Sequence, residues 1–403
     1  MRVAVILESK LQAGGGFQQE LSTARLLARR QGAHDFVFYT PHRENLGVLK
    51  EHGLTAVFLD MRSWKSRVFF YAQKLKKLAG SSDTGDLAMA PFEKVLHRDG
   101  TDLVYFLSSS QMAAYVRRLN YLVTAWDQCH RDHLEFPEVN FEGQFEQREN
   151  FYKTIAPKAV AILVDAPTSK DNLVKRYGCD AARIHVAPFF PPEELSQAQA
   201  GMDVPKKYGI KRRYIFYPAQ FWAHKNHVYV LDGLALLKQK YGIEMDVVFS
   251  GSDKGNLSFV LAYARKLGLQ DAVHYVGFVP YVAMASFYGQ ALALVMPTYF
   301  GLTNIPPLEA FALGCPVCYP DLPGLRDQVG DAAFLMDLKD PGSMATQVMA
   351  ILNDKGLVAQ KVIKGKAIVA RWTGDDYWDA LKGIFDAYAV KQHCWKDVRV
   401  SGD

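Results

Sequence analysis

A chain of 403 residues, 49% apolar and 22% charged, is too long for one ordinary domain and has the composition of a globular protein with sizeable cores. Disorder, collagen-like repeats and coiled coils are thereby excluded. The net charge of +5 is too small to argue for nucleic acid, and it is evenly divided: residues 1–200 carry 25 basic and 23 acidic groups (+2), the remainder 22 and 19 (+3).

In chain order, Val3–Leu7 reads as a buried strand, followed by the glycine loop Gly14-Gly15-Gly16 and a helical pattern over Gln18–Arg30. Short apolar strands are expected at Asp35–Tyr39, Ala56–Leu59, Leu103–Phe106, Leu122–Ala125 and Ala159–Leu163, with helical segments between them. A proline-rich, polar stretch from Pro188 to Pro205 reads as a linker. The alternation then restarts with strands at Tyr214–Tyr217, Met245–Ser250, Val273–Tyr275, Leu292–Met296 and Pro316–Tyr319. Helices are expected at Val228–Tyr241, Leu257–Leu267, Val282–Tyr288 and Pro306–Leu313. Two α/β, Rossmann-like domains facing across a cleft follow, each a parallel sheet with helices on both faces.

Five scattered cysteines (Cys129, Cys179, Cys315, Cys318, Cys394) do not form a disulfide framework and fit a reducing cytosol. Cys315-Pro-Val-Cys318 has redox spacing, but it lies at the wrong end of a helix to lower a thiol pKa, and no second pair completes a zinc site. The N-terminal apolar run is too short for a signal peptide, and no run approaches the ~20 residues of a spanning helix. A cytoplasmic protein is expected.

Three segments carry candidate chemistry. Met296–Gly314 reads as a strand end, a polar loop and a helix opened by Pro306-Pro307, with Thr303 and Asn304 placed to cap that helix or to offer backbone N–H groups to an anion. Glu309, in its first turns, either complements the helix dipole or accepts hydroxyl hydrogen bonds from a ribose. In Tyr217–His227, Lys225 and Asn226 precede a helix at the carboxyl end of a strand, where a lysine offsets a diphosphate unless it is merely solvated. Thr124–Pro137 follows another strand and brings Asp127 and His130 toward the cleft, as acceptor-orienting or proton-handling groups or as loop-organising ones.

Together with Ser250-Gly251, Val276-Gly277-Phe278-Val279 and the ending Arg371–Trp378, these segments resemble the family 4 retaining glycosyltransferases of GT-B fold. The resemblance implies an N-terminal acceptor-binding domain (1–190), a C-terminal nucleotide-sugar-binding domain (206–370) and a terminal helix crossing back to the first domain (371–403). It implies that Glu309 binds the ribose and Lys225 meets the donor diphosphate. Thr303, Asn304 and Ile305 then surround the phosphates, and Gly277, Phe278 and Val279 hold the base. Gly15, Gly16, Gln220 and Gly251 are further donor contacts. Asp127 matches an aspartate of the family, whereas Trp126 stands where the family has histidine, leaving His130 to contact a sugar hydroxyl. Gly301 and Gln220 replace a family glutamate and arginine, so that Asn304 or Gln220 is expected to supply neutral hydrogen bonds instead.

The branch with Tyr-Phe-Gly-x-Thr-Asn-Ile-Pro-Pro-Leu-Glu implies transfer of a mannose- or rhamnose-type hexose to a glycan or lipid-linked saccharide in bacterial surface-polysaccharide assembly. A GDP-sugar is favoured as co-substrate over a UDP- or dTDP-sugar, with no metal and no other cofactor. A non-catalytic nucleotide-sugar or glycan-binding protein, or an epimerase on the same fold, is the alternative. Residues 61–80 hold six basic groups and no acid, with Trp64, Val68, Tyr71, Leu75 and Leu78 at helical spacing. That pattern fits a helix lying on the inner membrane face and equally a core-packed helix.

Overall fold

The computed structural model describes residues 1–10, 15–30, 32, 34–78, 88–191, 195 and 201–395, with backbone alone at 15, 16, 74, 76–78, 281 and 282. Gly14 lies outside the described residues. Among the described residues thirteen strands form two sheets, and every pairing between them is parallel.

The first sheet comprises β1 (Arg2–Ile6), β2 (Asp35–Thr40), β3 (Ala56–Phe58), β4 (Leu103–Phe106), β5 (Asn120–Ala125), β6 (Ala161–Val164) and β7 (Ile184–Val186), in the order β3-β2-β1-β4-β5-β6-β7. The second comprises β8 (Tyr214–Pro218), β9 (Asp246–Ser250), β10 (Val273–Tyr275), β11 (Leu294–Val295), β12 (Val317–Pro320) and β13 (Phe334–Met336), in the order β10-β9-β8-β11-β12-β13. β7 and β13, at the edges of the two sheets, were not expected from the sequence.

The helices used below are α1 (Gly15–Arg29), α2 (Trp64–Leu78), α3 (Gln144–Asn150), α4 (Pro167–Tyr177), α5 (His227–Tyr241), α6 (Ile305–Ala312) and α7 (Gly374–Gln392).

The first sheet is buried on both faces, which is why its strands read as unbroken apolar runs. Along β1 the side chains alternate: Val3, Val5 and Leu7 enter one core, Ala4 and Ile6 the other. The first of these cores is completed from the far end of the chain. Tyr377, Leu381, Ile384, Phe385 and Tyr388 recur at helical spacing along α7 and pack beside Val3, Val5 and Tyr105. At roughly 1.5–3 kcal/mol for each fully buried large side chain, this face anchors the crossing helix. Thr373 and Asp376 form a reciprocal capping box at its start, and Trp372 Nε1 donates to the Pro188 carbonyl at 2.8 Å. The tail therefore returns to the first domain, as the resemblance implied.

In each sheet the strand order reverses once, between β1 and β4 and between β8 and β11. Crevices open at the carboxyl ends of strands at such reversals. The loops after β1, β5, β6, β8, β9 and β11 line one shared cleft of about 1210 Å³. No helix among the described residues is long and apolar enough to cross a membrane.

On α2, Trp64, Val68, Tyr71 and Leu75 are 49–71% exposed, whereas Phe69 and Phe70 turn inward against Tyr115. The core-packed reading of that stripe is thereby corrected: the helix buries a different face. The side chains of Lys74, Lys76, Lys77 and Leu78 lie outside the description.

Candidate active site

One wall of the cleft, called the donor wall below because the sequence resemblance assigns it the donor, is built at the β8/β11 reversal. After β8 the chain makes a 3₁₀ turn over Ala223–Lys225, and Asn226 enters the left-handed region (φ +53°) before α5 begins. The turn is tied down by Tyr217, whose hydroxyl donates to the Lys225 carbonyl at 2.7 Å. After β11, Met296–Asn304 loops back to α6. Lys225 Nζ lies 3.4 Å from Thr298 Oγ1 and 3.3 Å from Asn304 Oδ1, both neutral acceptors. Burial pushes its pKa down to about 8, against the attraction of Asp127, Cys129 and Glu138.

Asn304 sits at the start of α6 but does not cap it. Its amide Nδ2 donates to the Gly301 carbonyl and to the Tyr319 hydroxyl, each at 2.6 Å. Its backbone N–H goes to Gln328 Oε1 at 3.0 Å, so the expectation that Asn304 offers this N–H to phosphate is corrected. The glycine at 301 now has a reason. Its φ is +106°, and a Cβ there would stand 2.8 Å from Asn304 Oδ1; the position of the family glutamate is taken by the asparagine amide.

Gln220 is likewise occupied. Nε2 donates to Ser252 Oγ at 2.9 Å and Oε1 accepts from Trp222 Nε1 at 3.0 Å, so its side chain braces two loops instead of standing free for a ligand. Gly251 (φ +133°) is required by close approach, since a Cβ would meet the Ala219 carbonyl oxygen at 2.3 Å. Its N–H is bonded to the Gly277 carbonyl and its own carbonyl accepts from the Tyr275 hydroxyl, so its role is in the wall rather than on a ligand. Phe278, Val279, Ile305 and Glu309 line the cleft; Gly277 does not. Glu309 is 4% exposed and accepts from the Tyr288 hydroxyl at 2.8 Å. Thr303 lines the cleft and donates through its hydroxyl to the Asp165 carbonyl on the opposite wall at 3.2 Å.

The opposite wall, called the acceptor wall on the same resemblance, comes from β5, β6 and the helical turns after β5. Asp127 lines the cleft, accepts from the Cys129 N–H at 3.1 Å and pairs with Arg148 Nη1 of α3 at 3.0 Å. Despite burial, the Arg148 guanidinium and these hydrogen bonds hold its carboxyl below the usual range. His130 is the clearest correction. It is 0% exposed and turned away from the cleft, stacked on Tyr152 and bonded through Nε2 to Glu149 Oε1 at 2.9 Å. A sugar cannot reach it. Gly15 and Gly16 begin α1, near the cleft-lining Phe17 and Gln18.

Sequence reasoning missed several cleft residues. Glu138 reaches across to His224 of the other wall, Asp165 is a buried carboxyl whose pKa burial raises to about 7, and Arg148 and Lys254 add cations. Lys254 Nζ stands 5.5 Å over the Trp222 ring. Of these, only Asp165 carried a signal, as an acid directly after an apolar strand. The others depend on which loops meet. Cys315 and Cys318 are free, buried thiols whose pKa burial pushes up, which removes any reactive character from that pair.

Residues 203–367 match the family described as Glycosyl transferases group 1. A D-inositol 3-phosphate glycosyltransferase from Paenarthrobacter aurescens is 27% identical over 231 residues, 55% of this chain and 54% of that protein. O-antigen chain mannosyltransferase B of Escherichia coli is 22% identical over 222 residues, 54% of this chain and 58% of that one. The chain thus spans about half the length of the curated relatives it matches. The structure of Anabaena Alr3699/HepE in complex with UDP-glucose superimposes with a TM-score of 0.70 over 97% of this chain and 100% of that chain, at 14% identity. Two parallel sheets meeting at one cleft are the GT-B fold, and residues 203–367, the second of its two α/β units, are a domain of the group 1 glycosyl transferase type.

Proposed function

We propose that this protein is a retaining, metal-independent hexosyltransferase using a nucleotide-sugar donor. The observation that carries the reading is Lys225, a half-buried ammonium whose hydrogen-bond acceptors are neutral, set at a sheet reversal opposite Asp127. An ammonium without a carboxylate of its own attracts a diphosphate and stabilises the charge that grows on it as the sugar leaves. Glu309, beneath the first turn of α6, suits ribose hydroxyls, and the exposed Phe278 ring suits a base. In the transfer, the bond between the anomeric carbon and the phosphate oxygen breaks and the acceptor oxygen bonds to that carbon on the same face. The acceptor proton passes to the departing phosphate, and Asp127 orients the acceptor hydroxyl.

A mannose- or rhamnose-type donor, with GDP favoured, and a glycan or lipid-linked saccharide acceptor in surface-polysaccharide assembly complete the proposal. The O-antigen chain mannosyltransferase reported above supports it. The exposed Trp64–Leu75 stripe, flanked by Arg62, Lys65 and Arg67, supports work at the cytoplasmic face of a membrane.

The test is calorimetry and turnover with GDP-, UDP-, dTDP- and ADP-sugars, with and without EDTA. One donor should bind and be consumed equally under both conditions. A second reading, a non-catalytic binder, is favoured by the internal engagement of Gln220 and by Gly301. Binding without hydrolysis or transfer across all donors and a saccharide acceptor panel would select it.

A further inference from the structure

We infer that His224 binds a hydroxyl of the donor sugar through Nε2, with Glu138 of the opposite wall fixing the ring. The inference rests on the donor-site reading above and adds to it the residue that senses the sugar rather than the nucleotide.

Glu138, on the turn Pro137–Asn140, has a side chain only 7% exposed. Its Oε1 accepts twice from His224: from the backbone N–H at 2.9 Å and from ring Nδ1 at 2.5 Å. The His224 carbonyl is also committed, accepting from the Tyr299 N–H at 3.0 Å. The ring plane is set by Phe300, stacked with centroids 3.8 Å apart and planes 15° apart, and by Phe136 standing edge-on at 6.3 Å. Every polar atom of His224 except Nε2 is therefore in use. Nε2 makes no hydrogen bond among the described residues, yet it is not sealed from solvent, unlike both ring nitrogens of His227 three residues on. His224 itself lines the cleft.

The protonation states follow from this geometry. A carboxylate accepts but does not donate, so the proton lies on Nδ1 and the lone pair on Nε2. Burial and the neighbouring Lys225 favour the neutral ring, holding the His224 pKa down to about 4. Nε2 is then a fixed acceptor, suited to a hydroxyl donor and unsuited to a phosphate oxygen. Its place agrees: His224 is adjacent to Lys225 in the chain and reaches toward the opposite wall. A sugar bonded to the outer phosphate of a diphosphate held at Lys225 lies on that same side.

The experiment is calorimetry on the full chain with three pairs of probes: GDP and GDP-mannose, UDP and UDP-glucose, dTDP and dTDP-rhamnose. His224→Asn keeps an amide donor for Glu138 and removes Nε2, while His224→Gln returns an oxygen near the Nε2 position. For the pair that binds wild type, the Asn variant should lose roughly 5–15-fold in affinity for the nucleotide-sugar, the span of one neutral hydrogen bond, and nothing for the free nucleotide. The Gln variant should recover part of the loss. Equal losses for nucleotide and nucleotide-sugar would make His224 a support for Lys225 only and overturn the inference, as would no loss for either. If wild type binds none of the six probes, the donor-site reading itself fails, a result distinct from both.

Discussion

The two walls of the cleft manage charge in opposite ways. On the donor wall, Lys225 meets only neutral oxygens, from Thr298 and Asn304. On the acceptor wall, ions are matched locally: Asp127 with Arg148 at the cleft and, behind it, Glu149 with Arg131 and Lys153. The difference suits the proposed function: a wall built for a dianion would keep a cation in reserve, because a resident carboxylate would compete with the ligand. A wall that must receive neutral hydroxyls has no such need, and pairing its ions keeps them from drawing phosphate to the wrong side. Asp165 fits the second pattern differently, since burial raises its pKa to about 7 and much of its population is neutral.

The contrast can be broken most directly at Lys225. Lys225→Ala is expected to lower turnover about 10²–10³-fold, the usual consequence of removing one preorganised charge from a developing anion. Because the Lys225 pKa lies near 8, wild-type affinity for a nucleoside diphosphate should fall as pH rises from 7 to 9 and the ammonium is lost. Calorimetry across that range checks this, and the alanine variant should show no such slope; an identical slope would detach the titration from Lys225.

Glu309→Ala should follow, with roughly ten- to a hundredfold weaker nucleotide binding as charge-assisted hydroxyl bonds are lost. Wild-type affinity for the nucleotide in that variant would remove Glu309 from the site. Asp127→Asn sharpens the other side of the comparison. Acceptor KM or kcat should worsen by about tenfold while nucleotide affinity stays within twofold. Equal damage to both would mean that the walls do not divide the substrates.

The smallest effect concerns stability alone. Burial raises the Glu20 pKa to about 7, beneath the acceptor wall where its carboxylate accepts from Ser9. Its unfolded value lies lower, near 4.5, so between these values the folded state binds more protons. This group therefore favours the fold at low pH and opposes it as pH rises through 7. Glu20→Gln should change the urea midpoint little at pH 4.5 and raise it, relative to wild type, at pH 8; the reverse order would contradict the burial of an ionisable carboxyl there.

Most strands of both sheets and the place of Lys225, Thr303, Asn304 and Glu309 at the cleft were legible because each depends on local pattern. An apolar run, a loop and a helix start lie close together in sequence. What those side chains bond to was not legible. Asn304 and Gln220 read as ligand-facing amides, but each is satisfied by partners that local sequence does not name, Tyr319 and Gln328 in one case, Ser252 in the other. His130 and His224 show the limit most plainly. Both follow strands and both precede charged residues. One is buried beside Tyr152 and Glu149, and the other is carried to the cleft by a carboxylate 86 residues earlier in the chain.

By itself the sequence determined two α/β units, their order and the position of a lysine at the cleft, because strand burial and helix capping are encoded within a few residues of each other. Tertiary structure alone decided which histidine sees the cleft, why glycine stands at 301, how the Trp64 stripe is turned outward, and that α7 completes the first core. Each of these depends on packing between elements or on a partner elsewhere in the chain, at the far end of it in the case of α7. The energy of such contacts is fixed only when the chain has closed.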